Sequence, residues 1–291
     1  MSENFMSAPD GSIVLGKREY SLRSDRDDRP PRRDETGTVP SMTPLAGRPA
    51  IVTGGGTGVG RGIALSLAAA GAVVAVLGRT EATLRETCSA IEVQGGKALT
   101  VVCDVRELED IERAVATVVD ALGGVRILVN NAQLSTRGTL LEITESTVDD
   151  GWRSGPLAAF RLMRECHPHL RDGGAVINVS SGAAMLAPHG MGAYAAVKAA
   201  MQSFGRAAAV EWGAHGIRVN TIVPLASSPG FERWREQDPD GYDAMLDSIP
   251  LRALPDARDD VGAAVVYLAS DDARMITGTT LTVDGGSTYL R

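Results

Sequence analysis

From Pro49 onward the chain repeats one pattern: a short, almost unbroken apolar run, then a longer stretch with apolar positions three and four apart. Ala50-Ile51-Val52-Thr53 reads as a strand buried on both faces, and residues 61–70 as the helix after it. Residues 72–77, 98–103, 127–129, 175–179, 217–223 and 280–283 repeat the strand signature. Between them the spacing predicts helices over 81–93 and 108–122, a long helix ending near Leu170, one that carries Tyr194 through Trp212, and one over 259–269. Residues 225–255 are less regular. Alternation of this length predicts an α/β fold: one doubly wound domain, with a seven-stranded parallel sheet and helices on both faces.

Residues 1–44 break the pattern. They are polar, and the run from Arg23 to Arg33 alternates Arg and Asp without apolar periodicity. Such a composition buries too little surface to offset its ordering entropy, so a disordered tail is expected there. Met42 is an expected alternative start of translation, and the folded domain is expected over 45–291.

Composition narrows the function classes. With 291 residues, 44% of them hydrophobic, the chain can build one large core. A net charge of −7 gives no footprint for nucleic acid or an acidic membrane. No apolar run reaches the roughly 18 residues that span a bilayer, and the first ten residues lack the layout of a signal peptide. Cys88, Cys103 and Cys166 show no paired spacing and read as reduced thiols, which predicts a cytoplasmic protein. Cys166-His167-Pro168-His169 closes a helix with no second ligand cluster elsewhere, so no metal is expected.

Two segments carry chemistry. Gly54, Thr57, Gly58, Val59 and Gly60 form a glycine-rich loop between a strand and a helix. There the backbone can approach a pyrophosphate closely and the helix N-terminus favours an anion. Tyr194 and Lys198 lie four residues apart, on one face of a helix, where an ammonium can lower the pKa of a phenol. Ser181 ends a strand thirteen positions before Tyr194.

In this order and at this separation, the glycine loop and the Ser181–Tyr194–Lys198 set resemble the short-chain dehydrogenase/reductase family over about residues 46–287. The resemblance implies a single Rossmann-type domain and an NAD(P)-dependent oxidoreductase. It would interconvert a secondary alcohol and a ketone by hydride transfer. Tyr194 would exchange the proton with the substrate oxygen, Ser181 would hydrogen-bond that oxygen, and Lys198 would tune the phenol and hold the nicotinamide ribose. Cys103-Asp104-Val105 resembles the family's Asp-Val pair, whose Asp contacts adenine. Asn130-Asn131-Ala132 resembles its Asn-Asn-Ala-Gly motif, with Gln133 in place of the last Gly; that side chain is expected to narrow the cofactor side of the pocket. Pro224 ends a matching strand. Leu225 replaces the next Gly, and Ser228 is the candidate for a Thr near the nicotinamide carboxamide. A family Asn in the long helix falls on Gly155 and is missing; Ser154 or water is the expected replacement.

The second strand ends in Gly78, followed by Arg79. A carboxylate there would repel a 2′-phosphate, whereas a guanidinium binds one in a fork. NADP is therefore favoured over NAD. The Tyr-to-Lys spacing of four speaks for carbonyl chemistry, since related enoyl reductases usually show a wider gap. Two alternatives remain: a catalytically silent dinucleotide-binding scaffold or sensor, and an NAD-dependent alcohol dehydrogenase. By resemblance the expected assembly is a homotetramer or homodimer built on residues 147–170 and 192–213, acting on a small alcohol or ketone. Phe231, Trp234, Tyr242, Met245 and Leu246 are expected to close over that substrate.

Overall fold

The computed structural model describes residues 13–15, 18–20, 43–226 and 229–288. Met1–Pro40 forms a unit of its own. Within it, inside the stretch expected to be a disordered tail, Ile13–Leu15 pairs antiparallel with Arg18–Tyr20. Ile13 and Val14 are β-branched and suit a strand. Met42 lies outside the described residues.

The second unit, Ser41–Arg291, holds the sheet. Its strands are β1 (Pro49–Thr53), β2 (Val73–Gly78), β3 (Lys97–Val102), β4 (Ile127–Asn130), β5 (Ala175–Val179), β6 (Arg218–Pro224) and β7 (Thr280–Val283). All pairings are parallel, in the order β3-β2-β1-β4-β5-β6-β7. Ile51 lies beside Ala75 on one side and Leu128 on the other.

Both faces of the sheet are covered. Ala50, Val52, Val74, Val76 and Val129 pack with Ile63 and Leu67 of α1 (Gly58–Ala69) on one side. Ile51, Ala75, Leu77, Leu128 and Val176 pack with Ile111 and Val115 of the helix Leu108–Leu122 on the other. Alternate residues of one strand thus enter opposite cores, which is why the strands read as continuous apolar runs. The helix Glu81–Val93 is α2 and Leu108–Leu122 is α3.

Three expectations are corrected. The long helix is broken: α4 (Glu145–Trp152) and α5 (Ala158–Leu170) flank a π-helical turn, Arg153–Leu157. Pro156 sits in that turn, where it lacks the N–H that an α-turn would use. After α6 (Ala183–Leu186) and α7 (Gly192–Trp212), the stretch read as irregular contains α8 (Pro229–Gln237) and α9 (Pro239–Ser248). The Asp238 carboxylate caps α9 by accepting from Gly241 N at 3.0 Å, and Pro239 opens it. The helix expected over 259–269 starts as a π-helix, Ala257–Gly262, before α10 (Ala263–Ala269).

Candidate active site

The strands' carboxyl ends open into one cavity of about 810 Å³, at the point where the order reverses between β1 and β4. Gly54 and Gly58 there adopt φ of +64° and +52°, a region that costs an L residue about 1–2 kcal/mol. Gly60 has no room for a Cβ, which would overlap the Gly54 carbonyl oxygen and the Asn131 amide. Thr57 is the N-cap of α1 but makes no side-chain cap, so the helix's first amides remain available to an anion. Thr57 and Val59 line the cavity.

A clasp joins this loop to β4. Thr53 Oγ1 accepts from the backbone amides of Asn131 and Ala132, both at 3.0 Å. In return Asn131 Nδ2 donates to the Thr53 and Gly54 carbonyls at 2.9 and 3.3 Å.

At the other end of the cleft, Gly78 presents no side chain and Arg79 is exposed. Arg79 makes no hydrogen bond or ion pair among the described residues. Asp104 is committed: Arg106 Nη2 reaches its carboxylate at 2.8 Å and Arg106 Nη1 reaches Asp150 at 2.9 Å. The Arg106 hydrogen bond holds the Asp104 carboxyl below its ordinary range. Val105 is buried beside it.

Ser180 and Ser181 take different partners. Ser180 Oγ donates to the Lys198 carbonyl at 3.2 Å and accepts from Gln202 Nε2 at 2.9 Å. Ser181 lies close enough to the Tyr194 hydroxyl to lower its pKa, and Ser181 Oγ accepts from Ala183 N at 3.2 Å. Lys198 lies one turn along α7, its Nζ 5.7 Å from the Tyr194 ring centroid. The Lys198 ammonium is buried and donates to Val179 O at 2.8 Å. Burial pulls its pKa down to about 7.

Burial raises the Tyr194 pKa, opposed by the Ser181 hydrogen bond and then by the charge of Arg137. Arg137, in the loop after β4, contributes a positive charge that favours the phenolate.

Comparison with known proteins agrees with this geometry. The family described as Enoyl-(Acyl carrier protein) reductase matches residues 54–288. The chain is 38% identical over 249 residues to 12alpha-hydroxysteroid dehydrogenase from Clostridium sp., covering 82% of this chain and 96% of that protein. It is 36% identical over 245 residues to L-xylulose reductase from Mesocricetus auratus, covering 83% and 97%. The chain belongs to the short-chain dehydrogenase/reductase family. It is an NAD(P)-dependent oxidoreductase. A short-chain dehydrogenase from Burkholderia cenocepacia, solved in complex with NADP, superimposes with a TM-score of 0.78 at 32% identity, covering 84% of this chain and 99% of that one.

Against the family pattern, the departures are structured. The Gln133 side chain turns into the π-helical turn. Its Nε2 donates to Leu134 O at 2.9 Å, Gly151 O at 3.0 Å and Ser154 Oγ at 3.3 Å. Ser154 is itself engaged, donating to Asp150 O at 2.7 Å and accepting from Leu134 N at 3.1 Å. Leu225 N donates to Val283 O at 3.0 Å and so continues the β6–β7 pairing. Pro224 lines the cavity, and Ser228 lies outside the described residues.

Of the residues expected to close over a substrate, Phe231 lines the cavity. Trp234 stacks between Phe231 and Tyr242, with centroids 6.2 and 5.9 Å away, and Tyr242 is buried. Met245 and Leu246 do not reach the cavity. His167 Nε2 lies 3.0 Å from His215 Nδ1 and Cys166 is fully buried. No group of three metal-ligating side chains occurs among the described residues.

Sequence reading missed Arg106, Arg137 and the clasping role of Thr53. Arg106 had a local signal, two positions after an acidic residue in a turn. Arg137 had none, because its charge comes near Tyr194 only through the way two distant loops meet: Gly138 N donates to Gly190 O at 2.9 Å.

Proposed function

We propose that the protein interconverts a secondary alcohol and a ketone using NADP(H). The observation that carries this reading is that Ser181, Tyr194 and Lys198 converge on the cavity that also holds the glycine loop, with Lys198 Nζ 5.7 Å from the Tyr194 ring centroid. The residues fit the nucleotide. Gly54, Gly58, Gly60 and the open end of α1 suit a pyrophosphate, and Asp104 and Val105 flank the adenosine end. Lys198, Asn131, Ala132 and Pro224 lie toward the nicotinamide end. Gly78 removes the carboxylate that would repel a 2′-phosphate, and Arg79, unpaired among the described residues, suits that phosphate.

When bound, the nicotinamide gives or takes the hydride. Ser181 and Tyr194 hold the substrate oxygen from two sides, which orients it. A phenol whose pKa is raised by burial keeps its proton at neutral pH and can deliver it to a carbonyl oxygen; alcohol oxidation requires the phenolate. Leu186, Met191 and Phe231 supply an apolar wall that suits a largely hydrocarbon substrate. The names of the relatives, a hydroxysteroid dehydrogenase and a xylulose reductase, are consistent with CH–OH and C=O substrates.

The test is a parallel titration with NADPH and NADH, followed by tryptophan fluorescence. NADPH is expected to bind at least about tenfold tighter, roughly 1.4 kcal/mol, with Arg79→Gln bringing the two close to parity. Preference for NADH would reverse the cofactor assignment; binding of neither would overturn the dinucleotide site, and binding without turnover would return the silent-scaffold reading. In a ketone panel with NADPH (cyclic, aromatic and polyhydroxylated), Tyr194→Phe is expected to bind nucleotide normally and lose about 100-fold or more in kcat.

We also infer a cytoplasmic homotetramer. Its support is the family resemblance, together with the exposed apolar side chains Val148 and Trp152 on α4 and Val210 on α7. Buried, unpaired Cys88, Cys103 and Cys166 suit a reducing compartment. Among the described residues no helix is long and apolar enough to cross a membrane.

A further inference from the structure

Six charged side chains line the cavity, and four of them are engaged. Asp104 and Arg106 pair with each other at 2.8 Å. The Asp284 carboxylate is buried and accepts from Gly286 N and Thr288 N, both at 2.9 Å, and from Thr288 Oγ1. Lys198 Nζ is buried and donates to Val179 O at 2.8 Å. The other two are guanidiniums without an acidic partner among the described residues: Arg79 at the adenosine end, and Arg137 in the loop after β4. Arg137 is exposed, and among the described residues it makes no hydrogen bond or ion pair. A guanidinium carries five N–H donors and stays charged at any physiological pH, so its fork is open to an anion.

The chain holds Arg137 in place from both sides. Thr136, before it, is buried, and a Cβ at Gly151 of α4 would overlap the Thr136 methyl. Gly138, after it, has φ of +143°, lies against Ile143 and donates from N to Gly190 O at 2.9 Å. Between these two anchors Arg137 lines the cavity together with Leu134, Met191 and Tyr194. Its charge reaches the Tyr194 phenol. The anionic groups of the nucleotide have seats elsewhere, at the open end of α1 and at Arg79, so they leave Arg137 unclaimed. The substrate side of the cleft thus combines a phenol for the reacting oxygen, an apolar wall of Leu134, Leu186, Met191 and Phe231, and one spare cation.

We propose that Arg137 determines specificity, and that the substrate is an oxo acid: a ketone on a hydrocarbon body with a carboxylate at its far end. This rests on the reading of the site as one that interconverts ketones and alcohols. A guanidinium meets a carboxylate through two parallel N–H···O bonds, which fix direction as well as distance. No internal partner has to be released first, because Arg137 has none among the described residues. A single cation without a basic neighbour matches a monoanion better than a phosphate, which carries close to two charges. With the carbonyl held at Ser181 and Tyr194 and the carboxylate at Arg137, the span between the two anchors selects the length of the hydrocarbon body. A bound carboxylate also offsets the charge that favours phenolate, so the phenol holds its proton more firmly in the complex. The carboxylate itself is unchanged by the reaction, and the product of reduction is the hydroxy acid.

The experiment measures kcat/KM with NADPH for matched pairs: straight-chain oxo acids from levulinate upward, and 4-acetylbenzoate, each against its methyl ester. The acid is expected to be preferred by about tenfold or more at one chain length, falling off on either side. The acid-to-ester ratio is the quantity read, because any effect of Arg137 on the phenol is common to both members of a pair. Arg137→Met should bring that ratio close to one, Arg137→Glu should invert it, and Arg137→Lys should keep part of it. Thermal unfolding of each variant checks that it is folded. Equal rates for acid and ester throughout the wild-type series would overturn the proposal, as would a preference that survives Arg137→Met. The reductase reading fails separately, if no ketone turns over or if Tyr194→Phe stays fully active. Binding then still judges Arg137. With NADP+ in place of NADPH no reduction can occur, and saturation-transfer NMR should show 4-acetylbenzoate in contact with the wild type and largely released by Arg137→Met. Equal contact with both proteins, or none with either, would overturn the subsite.

Discussion

A phenol that serves as an acid must keep its proton until the substrate oxygen needs it. Tyr194 meets this condition through burial, with Arg137 and the Ser181 hydrogen bond limiting the rise. The sign is fixed by charge: burial disfavours phenolate and a nearby cation favours it. In the free protein, the difference in tyrosinate absorbance between wild type and Tyr194→Phe should titrate with a midpoint above the ordinary value of about 10. Arg137→Met should move that midpoint further up, and Arg137→Lys should hold it. A midpoint below 10, or one indifferent to Arg137, would contradict this account. Alcohol oxidation should accordingly rise with pH through the alkaline range. At this scale the sequence was a good guide to identity and a poor one to state. Ser181, Tyr194 and Lys198 come together as their spacing requires, but the dominant influence on the phenol is burial, which no spacing reveals. Gln133 was visible as a departure from a family motif; its direction was not, because a side chain at a strand end can turn either way.

One pair of elements shows how tightly the cofactor helix is seated. Gly62 on α1 faces Ala257, whose Cβ would lie 2.8 Å from a Cβ at 62. Gly262 faces Ser66, whose Cβ would lie 2.6 Å from one at 262. Ser66 Oγ bonds the Gly62 and Arg258 carbonyls at 3.1 and 2.7 Å, tying α1 to the π-helix Ala257–Gly262. Gly62→Ala should therefore cost about 1–3 kcal/mol, seen as a lower Tm, and weaken NADPH binding by shifting the N-terminus of α1. Gly213→Ala is the contrast: φ there is −55° and a Cβ meets nothing within 4 Å, so Tm should hold or rise slightly. The strands were legible because burial on both faces forces apolar runs. The π-helical turns were not, since each spans only five or six residues and slips the apolar stripe by about one position, too little for a short pattern to show; Pro156 alone hinted at one. Helices α8 and α9 escaped because their charged sequences carry little core stripe, although Asp238-Pro239 is a start signal.

For the molecule as a whole, the helices α4, α5 and α7 are the ones placed by resemblance at subunit contacts. Val210 on α7 is 85% exposed, which makes it a sensitive place to probe that assembly. Light scattering should return four times the 30.5 kDa chain mass, and Val210→Arg should shift the population to smaller species. A monomer at micromolar concentration would overturn the tetramer. The parallel order of the sheet also has a temporal side. Strand β1 is made early, yet its neighbour β4 arrives only after β2 and β3 have been laid on the opposite flank. The amides that fix Thr53 and the side chain that closes on Gly54 belong to Asn131 and Ala132. During synthesis, then, the nascent chain carries its glycine loop for nearly eighty residues before that loop acquires its shape, and a ribosome stalled short of Asn131 holds a half-sheet whose cleft is unfinished.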